Sequence, residues 1–277
     1  MKVGYLGPKN SFSFQAANIV FPEETLVAFA SIPIVIDSLE NKKVDYAVVP
    51  IENSLEGSVH ATVDRLFSQL FLQVKEEIIL PIHQQLMGSN NLEAPEKIMS
   101  HPQALAQTQN YLQQNFPNVM LEACASTTTA AQYVASHPEE KVLAIASEKA
   151  AKEYNLSILR RDIEDNALNQ TRFWVLGGVK QKSAVTPATN KKITLFINLP
   201  KNVPGSLHKV LSAFAWRDID LAKIESRPLK TSLGEYFFII DVLVEDNQLL
   251  IDNAICEIEK LGGKVQNIGG YPVRKIN

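Results

Sequence analysis

Two stretches of this chain hold residue types that could handle a small oxygenated anion. One is Asp165-Asn166-Ala167-Leu168-Asn169-Gln170-Thr171-Arg172-Phe173-Trp174-Val175-Leu176, where amides, a hydroxyl and a guanidinium crowd in front of a run of strand formers. Asn and Gln both donate and accept hydrogen bonds, Thr offers a hydroxyl, and Arg presents a planar cationic fork that matches carboxylates. The other is Val48-Val49-Pro50-Ile51-Glu52-Asn53-Ser54, an apolar run that ends in clustered polar groups. Each stretch alone reads equally well as a turn beside a buried strand, because Asn and Asp favour turns for local reasons and Arg often serves in ion pairs.

The elements that must hold these residues repeat one layout. Lys2 to Leu6 reads as a strand, Gly7 to Ser13 as a turn, and Phe12 to Val20 as a helix that Ser11 or Ser13 would cap. Strand patterns follow at Thr25 to Phe29 and Asp45 to Pro50, with a helix over Ile32 to Leu39 and another from near Ser58. Phe71 to Gln85 is strand-like but contains Pro81, so it divides into two strands. Ile98 to Leu105 reads as a strand end entering a helix through about Gln114, with Pro102 in its first turn and Gln103 beside it. Val119 to Ala123 is a strand, and Ser126-Thr127-Thr128-Thr129 opens a helix to about Ser136 with more hydroxyls than one cap needs. Val142 to Ala146 is a strand, and Ser147 caps Glu148 to Tyr154. Alternating strands and helices imply a parallel sheet covered by helices. Ligands gather outside the C-terminal ends of such strands, where the hydroxyls and amides stand. Two small α/β lobes joined by two crossings would bring these junctions together across a cleft.

A polar segment with Pro187 and no apolar period follows, and it reads as a linker. Beyond it come a strand over Ile193 to Leu199, the turn Asn202-Val203-Pro204-Gly205-Ser206-Leu207-His208, and a helix to about Arg217. Strands at Leu221 to Ser226 and Tyr236 to Val244 are separated by a turn with Gly234; a helix over Leu249 to Leu261 stops at Gly262-Gly263, and Val265 to Ile268 is the last strand. The order βαββαβ is the ferredoxin-like topology.

At 277 residues the chain exceeds one typical domain. Net charge is −3 and the basic residues come only in short pairs, which disfavours nucleic acid or an anionic membrane as partner. The N-terminus lacks a signal-peptide pattern and no run approaches the ~20 apolar residues of a span, so a cytoplasmic protein is expected. Cys124 and Cys256, flanked by apolar residues, read as buried thiols rather than a disulfide. None of the five His has a second ligand at metal spacing, His101 before Pro reads as a turn residue, and no nucleotide motif occurs, so no metal and no cofactor is expected.

These motifs in this order resemble prephenate dehydratases with a C-terminal ACT regulatory domain, over essentially the full length. The resemblance rests on Gly7-Pro8 with Ser11-Phe12-Ser13, Pro50-Ile51-Glu52-Asn53-Ser54, Ser100-His101-Pro102-Gln103-Ala104-Leu105, Ser126-Thr127-Thr128-Thr129 and Asn169-Gln170-Thr171-Arg172-Phe173. In the C-terminal part it rests on Pro204-Gly205-Ser206-Leu207 and Glu225-Ser226-Arg227-Pro228. It implies a type II periplasmic-binding-protein-like double lobe over residues 1–181, a linker over 182–192 and an ACT domain over 193–277. The implied substrate is prephenate, which loses water and carbon dioxide to give phenylpyruvate, with the amino-acid counterpart arogenate and a non-catalytic amino-acid sensor as the alternatives. Thr171 matches the position regarded as catalytic in the family. Glu52 is the alternative proton donor, and Arg172 is a carboxylate clamp or an ion-pair partner. Substrate contacts are expected from Ser11, Asn53, Ser54, Gln103, Ser126, Thr127 and Asn169, with Phe173 as a wall. The effector, phenylalanine, is expected near Gly205, Ser206, Leu207, His208, Glu225, Ser226, Arg227 and Pro228, between ACT domains of a homodimer or homotetramer that also associates through its catalytic domains. Two departures stand out: Asn10-Ser11 where the family shows Gly-Thr, and Gly205-Ser206-Leu207-His208 where it shows Gly-Ala-Leu-Val.

Overall fold

The computed structural model describes residues 1–68, 71–89, 94–178, 191–199, 204–229, 236–245 and 247–276. These form two compact units, one from residues 1–63, 79–173 and 276–277, the other from residues 64–78 and 174–275. Residues 182–190 of the expected linker lie outside the described residues, as do Asn202, Val203 and the turn at Gly234.

The first unit holds two lobes. In one, strand Lys2–Leu6 lies parallel to Thr25–Phe29 and to Tyr46–Asn53. The apolar runs that lack polar alternation are the strands covered on both faces: Val3, Ala47, Val48 and Val49 are fully buried. Helices Phe12–Val20 and Ile32–Glu40 cover this sheet. Gly57–Ser58 pairs back on Glu52 and Asn53, so the helix expected near Ser58 begins at His60 instead. In the other lobe, strand Lys97–Ser100 is parallel to Met120–Ala123 and Val142–Ala146, while Gln85–Gly88 is antiparallel to Val142–Ala146 and to Ser157–Arg160. The helix expected after Pro102 is two, Pro102–Gln107 and Gln109–Asn115. The break falls at Thr108, whose hydroxyl turns back to the Ala104 carbonyl at 2.8 Å and competes with the helix ladder.

In the second unit, strand Lys191–Asn198 is antiparallel to Tyr236–Val244 and to Lys264–Lys275, and Leu221–Pro228 is antiparallel to Tyr236–Val244. Helices Ser206–Ala215 and Gln248–Lys260 complete the ferredoxin-like order. Their apolar faces pack Val210, Phe214, Ile251 and Ile258 on Leu195, Ile197 and Ile240. Gly269, at φ +129°, fits because a Cβ there would meet the Val74 carbonyl oxygen at 2.6 Å. Both cysteines are free thiols; Cys124 is half-buried and Cys256 is exposed. The expectation of buried thiols fails at Cys256 because the core-facing positions of its helix are Ile251, Ala254 and Ile258, which turn residue 256 outward. No helix among the described residues is long and apolar enough to cross a membrane.

Candidate active site

A cavity of about 340 Å³ in the first unit is lined where strand ends meet helix starts. Ser11 caps helix Phe12–Val20 by accepting from the Phe14 N–H, and Ser126 caps helix Thr127–Ser136 by accepting from the Thr129 N–H. Each cap uses one of the N–H groups that a helix start leaves open, so both helices keep donors and a partial positive charge at the cavity. Asn10, beside the first start, sits at φ +66°, a left-handed conformation that Asn tolerates better than most residues. His101 Nδ1 accepts from the Gln103 N–H at 3.3 Å, so its side chain caps the start of helix Pro102–Gln107. No Lys or Arg stands among the described lining residues.

The hydroxyl of Thr171 is oriented by a relay of amides whose polarity the backbone sets. Asn53 Oδ1 accepts from the backbone N–H groups of Leu55 at 3.0 Å and Glu56 at 3.3 Å. Its Nδ2 is therefore the donor end, and it donates to Thr171 Oγ1 at 3.0 Å and to Asn169 Oδ1 at 2.8 Å. Asn169 Nδ2 in turn donates to Gln107 Oε1 at 3.0 Å, and Gln107 Nε2 donates to Glu56 at 3.3 Å. With Thr171 Oγ1 accepting from Asn53, its own hydrogen remains available to a partner in the cavity.

Of the expected substrate contacts, Ser11, Asn53, Gln103, Ser126, Thr127, Thr171 and Phe173 line this cavity together. Four others do not. Asn169 is fully buried behind the wall, as the relay's middle member. Ser54 accepts from the Gln170 N–H at 2.9 Å and donates to the Leu168 carbonyl. Glu52 and Arg172 meet each other at 2.5 Å, which gives the guanidinium its carboxylate partner inside the protein. Sequence reasoning missed Gln107 and Gln84, both of which line the cavity. Gln107 lies five residues after Pro102 in a helix that the sequence did mark, and its link to Asn169 spans 62 residues, so no local signal picked it out. His83, Asp162 and Glu164 bring ligand-type atoms within 4.8 Å of one another outside the cavity lining, where Glu164 accepts from His83 at 2.7 Å and from the Gln84 N–H at 2.8 Å.

In the second unit a smaller pocket of about 200 Å³ lies at the start of helix Ser206–Ala215, lined by Gly205, Ser206, Leu207 and His208 with Tyr236 and Phe238. Gly205 takes φ +82° at the N-cap, where no side chain caps the helix. Glu225, Ser226, Arg227 and Pro228 are not in this lining; they stand on strand Leu221–Pro228, with Glu225 beside Lys223 at 3.2 Å and Arg227 beside Asp64 at 3.0 Å.

Comparison with known proteins agrees with this geometry. The family model described as prephenate dehydratase matches residues 3–181, and the ACT domain model matches residues 193–260. A prephenate dehydratase of Lactococcus lactis is 47% identical over 277 residues, covering 100% of this chain and 99% of its own. One of Bacillus subtilis is 43% identical, covering 98% of each chain. The crystal structure of a prephenate dehydratase from Arthrobacter aurescens in complex with L-Phe superposes with a TM-score of 0.87 at 28% identity, covering 98% of this chain and 90% of that one. On these grounds the chain belongs to the prephenate dehydratase family, with an ACT domain following the catalytic one.

Proposed function

We propose that residues 1–181 convert prephenate to phenylpyruvate and that residues 193–277 adjust the rate in response to phenylalanine. The reaction consumes one proton, releases the ring hydroxyl as water and the ring carboxylate as carbon dioxide, and leaves an aromatic ring. Aromatisation supplies the driving force, so the protein needs chiefly to hold a dianion and ease the departure of the hydroxyl. The cavity suits a dianion although no Lys or Arg stands among its described lining residues, because the starts of helices Phe12–Val20 and Thr127–Ser136 offer N–H donors and favour negative charge. Serine and threonine hydroxyls at those starts, with Gln103, add neutral donors.

One observation carries the assignment of Thr171: Asn53 donates to its oxygen, which leaves the hydroxyl hydrogen available to donate toward the cavity. Threonine is too weak an acid to hand over a full proton at neutral pH. Its role is a hydrogen bond, aimed in advance, that strengthens as negative charge grows on the departing oxygen. Phe173 excludes water from the ring carboxylate, whose loss is easier in an apolar setting. Glu52 and Arg172, held by one another, fix the strand end that presents Asn53 and the strand that presents Thr171.

Phenylalanine binding at the second pocket follows from its chemistry. The uncapped helix start at Gly205 leaves N–H groups for a carboxylate, and Tyr236 and Phe238 provide an aromatic wall. The solved relative was crystallised with L-Phe, which supports the same effector here. An effector that shifts activity must prefer one arrangement of the protein, and pairing of ACT domains in a homodimer or homotetramer supplies it. The test is phenylpyruvate formation from prephenate, with arogenate run beside it and phenylalanine titrated in, and with mass measured by light scattering. Product from prephenate that responds to phenylalanine, from a particle larger than one chain, is expected. Absence of product from prephenate sinks the reading.

A further inference from the structure

Helix His60–Phe67 has its first turn in one compact unit and its second turn in the other, with the division after Val63. Its two ends are fastened to different things. In the first unit the Val59 N–H, just ahead of the helix, donates to the Ile51 carbonyl at 2.8 Å, and the buried Thr62 hydroxyl donates to the Pro50 carbonyl at 2.6 Å. Val59 and Pro50 both line the cavity, and the segment Gly57–Ser58 that leads into the helix pairs with Glu52 and Asn53. The helix start is therefore tied to the strand whose last residue, Asn53, donates to the Thr171 hydroxyl.

In the second unit the Asp64 carboxylate accepts from Arg227 Nη2 at 3.0 and 3.2 Å, and the Phe67 ring stacks on Phe237 with centroids 3.9 Å apart. Arg227 and Phe237 stand opposite one another in the pairing of strands Leu221–Pro228 and Tyr236–Val244. Side chains alternate along a strand, so Phe237 turns toward Phe67 while its neighbours Tyr236 and Phe238 turn the other way, into the smaller pocket at Gly205. We propose that this helix carries the phenylalanine response to the cavity, with Asp64 and Thr62 as positioning residues at its two ends. The proposal rests on the reading that phenylalanine binds at the smaller pocket and adjusts the rate. Phenylalanine seated against Tyr236 and Phe238 loads one face of a strand whose other face holds the helix end. A two-turn helix, roughly 12 Å long, moves as one piece, so a displacement at Phe67 and Asp64 is passed to Thr62 and Val59. Pro50, Ile51 and Asn53 follow through their hydrogen bonds, and the contact that orients Thr171 changes with them. Neither Asp64 nor Thr62 lines the cavity or the smaller pocket, so each acts only through its neighbours.

The test reads two quantities in Asp64→Ala, Thr62→Val and the parent: the factor by which saturating phenylalanine changes the rate of phenylpyruvate formation, and the binding of phenylalanine by calorimetry. Asp64→Ala removes the link to Arg227, and Thr62→Val keeps the shape of the side chain while removing the donor to Pro50. In each variant the factor is expected to shrink by about three-fold or more, with phenylalanine still bound. The kcat of Asp64→Ala without phenylalanine should match the parent's. A side chain that only holds the fold would lower the melting temperature and leave the factor alone. A parent-like factor in either variant overturns the proposal; in both, it assigns the coupling to strands Leu72–Pro81 and Gln170–Gly178, which also pass from one unit to the other. Loss of phenylalanine binding in Asp64→Ala overturns it too, because Asp64 then serves the effector site itself. Should Asp64→Ala not fold, the factor in Thr62→Val decides alone. A parent that does not respond to phenylalanine would be seen first, and it would strike the reading of the smaller pocket rather than the role of the helix.

Discussion

Both units bury polar side chains, but the two sets do different work. In the first unit the set that reaches the cavity is neutral: Asn53, Asn169 and Gln107 form a relay that ends on the Thr171 hydroxyl in the cavity wall. In the second unit the set includes carboxylates, and the partners of these lie inside the same unit. Glu77 receives Lys192 Nζ at 2.8 Å and the Trp174 indole N–H at 3.1 Å, Glu76 receives Arg274 at 2.8 Å, and Asp241 accepts from the Thr194 hydroxyl at 2.6 Å. A buried charge left unmatched is costly, so each of these carboxylates has a partner within the unit, although Glu76 Oε2 is buried without one. An amide held by backbone contacts keeps a fixed polarity at far smaller cost and can direct it at a ligand. Burial of a polar group therefore does not mark a site; polarity left pointing into a cavity does.

The comparison breaks most sharply at Thr171. Thr171→Ala should lower kcat by about 10²–10³, some 3–4 kcal/mol of barrier, while KM and melting temperature change little. Turnover near the parent's would mean that the amide relay serves structure only. Lys192→Met is the opposite case, since it leaves the Glu77 carboxylate fully buried without its ammonium. Breaking a fully buried pair costs ~3–5 kcal/mol, and the partial exposure of Lys192 lowers this to about 2–3 kcal/mol. The melting temperature should drop by about 5–10 °C with kcat retained at low temperature. If kcat falls instead while the protein melts normally, the division between the two sets of buried groups is wrong.

Local chemistry explains what could be read in advance. Ser11, Ser126 and Ser147 are legible as helix caps because the hydroxyl, the open N–H and the apolar period that follows all fall within four residues. The buried strands at Tyr46 and Val142 show as unbroken apolar runs, and the βαββαβ order follows from period changes alone. What the sequence withheld is pairing at a distance. Glu52 and Arg172 look like site residues by type, and only the fold, which joins them across 120 positions, gives each the other as partner. Gln84 and Gln107 sit in segments with ordinary composition and reach the cavity through tertiary packing. Thr108 belongs to a run of good helix formers, and its break depends on where one hydroxyl turns.

The smallest effect tests whether burial of charge in the second unit carries a cost that its partners do not remove. Burial pushes the Lys75 ammonium below its ordinary range, although it donates to Gln73 Oε1 at 3.2 Å. The sign follows from proton counting. The folded pKa is below the unfolded one, so between them the unfolded chain binds more protons, and stability rises with pH up to the unfolded value near ~10.4. Below that window the cost is present in full, which includes neutral pH. Lys75→Met should therefore raise the melting temperature at pH 7, by on the order of 1–2 °C in a protein of this size. The gain over the parent should shrink as both are melted at higher pH, because the parent's lysine is by then neutral in either state. A gain that holds constant with pH would be due to the added apolar contact of methionine, and a loss at pH 7 would mean that the ammonium is matched as well as Glu77 is.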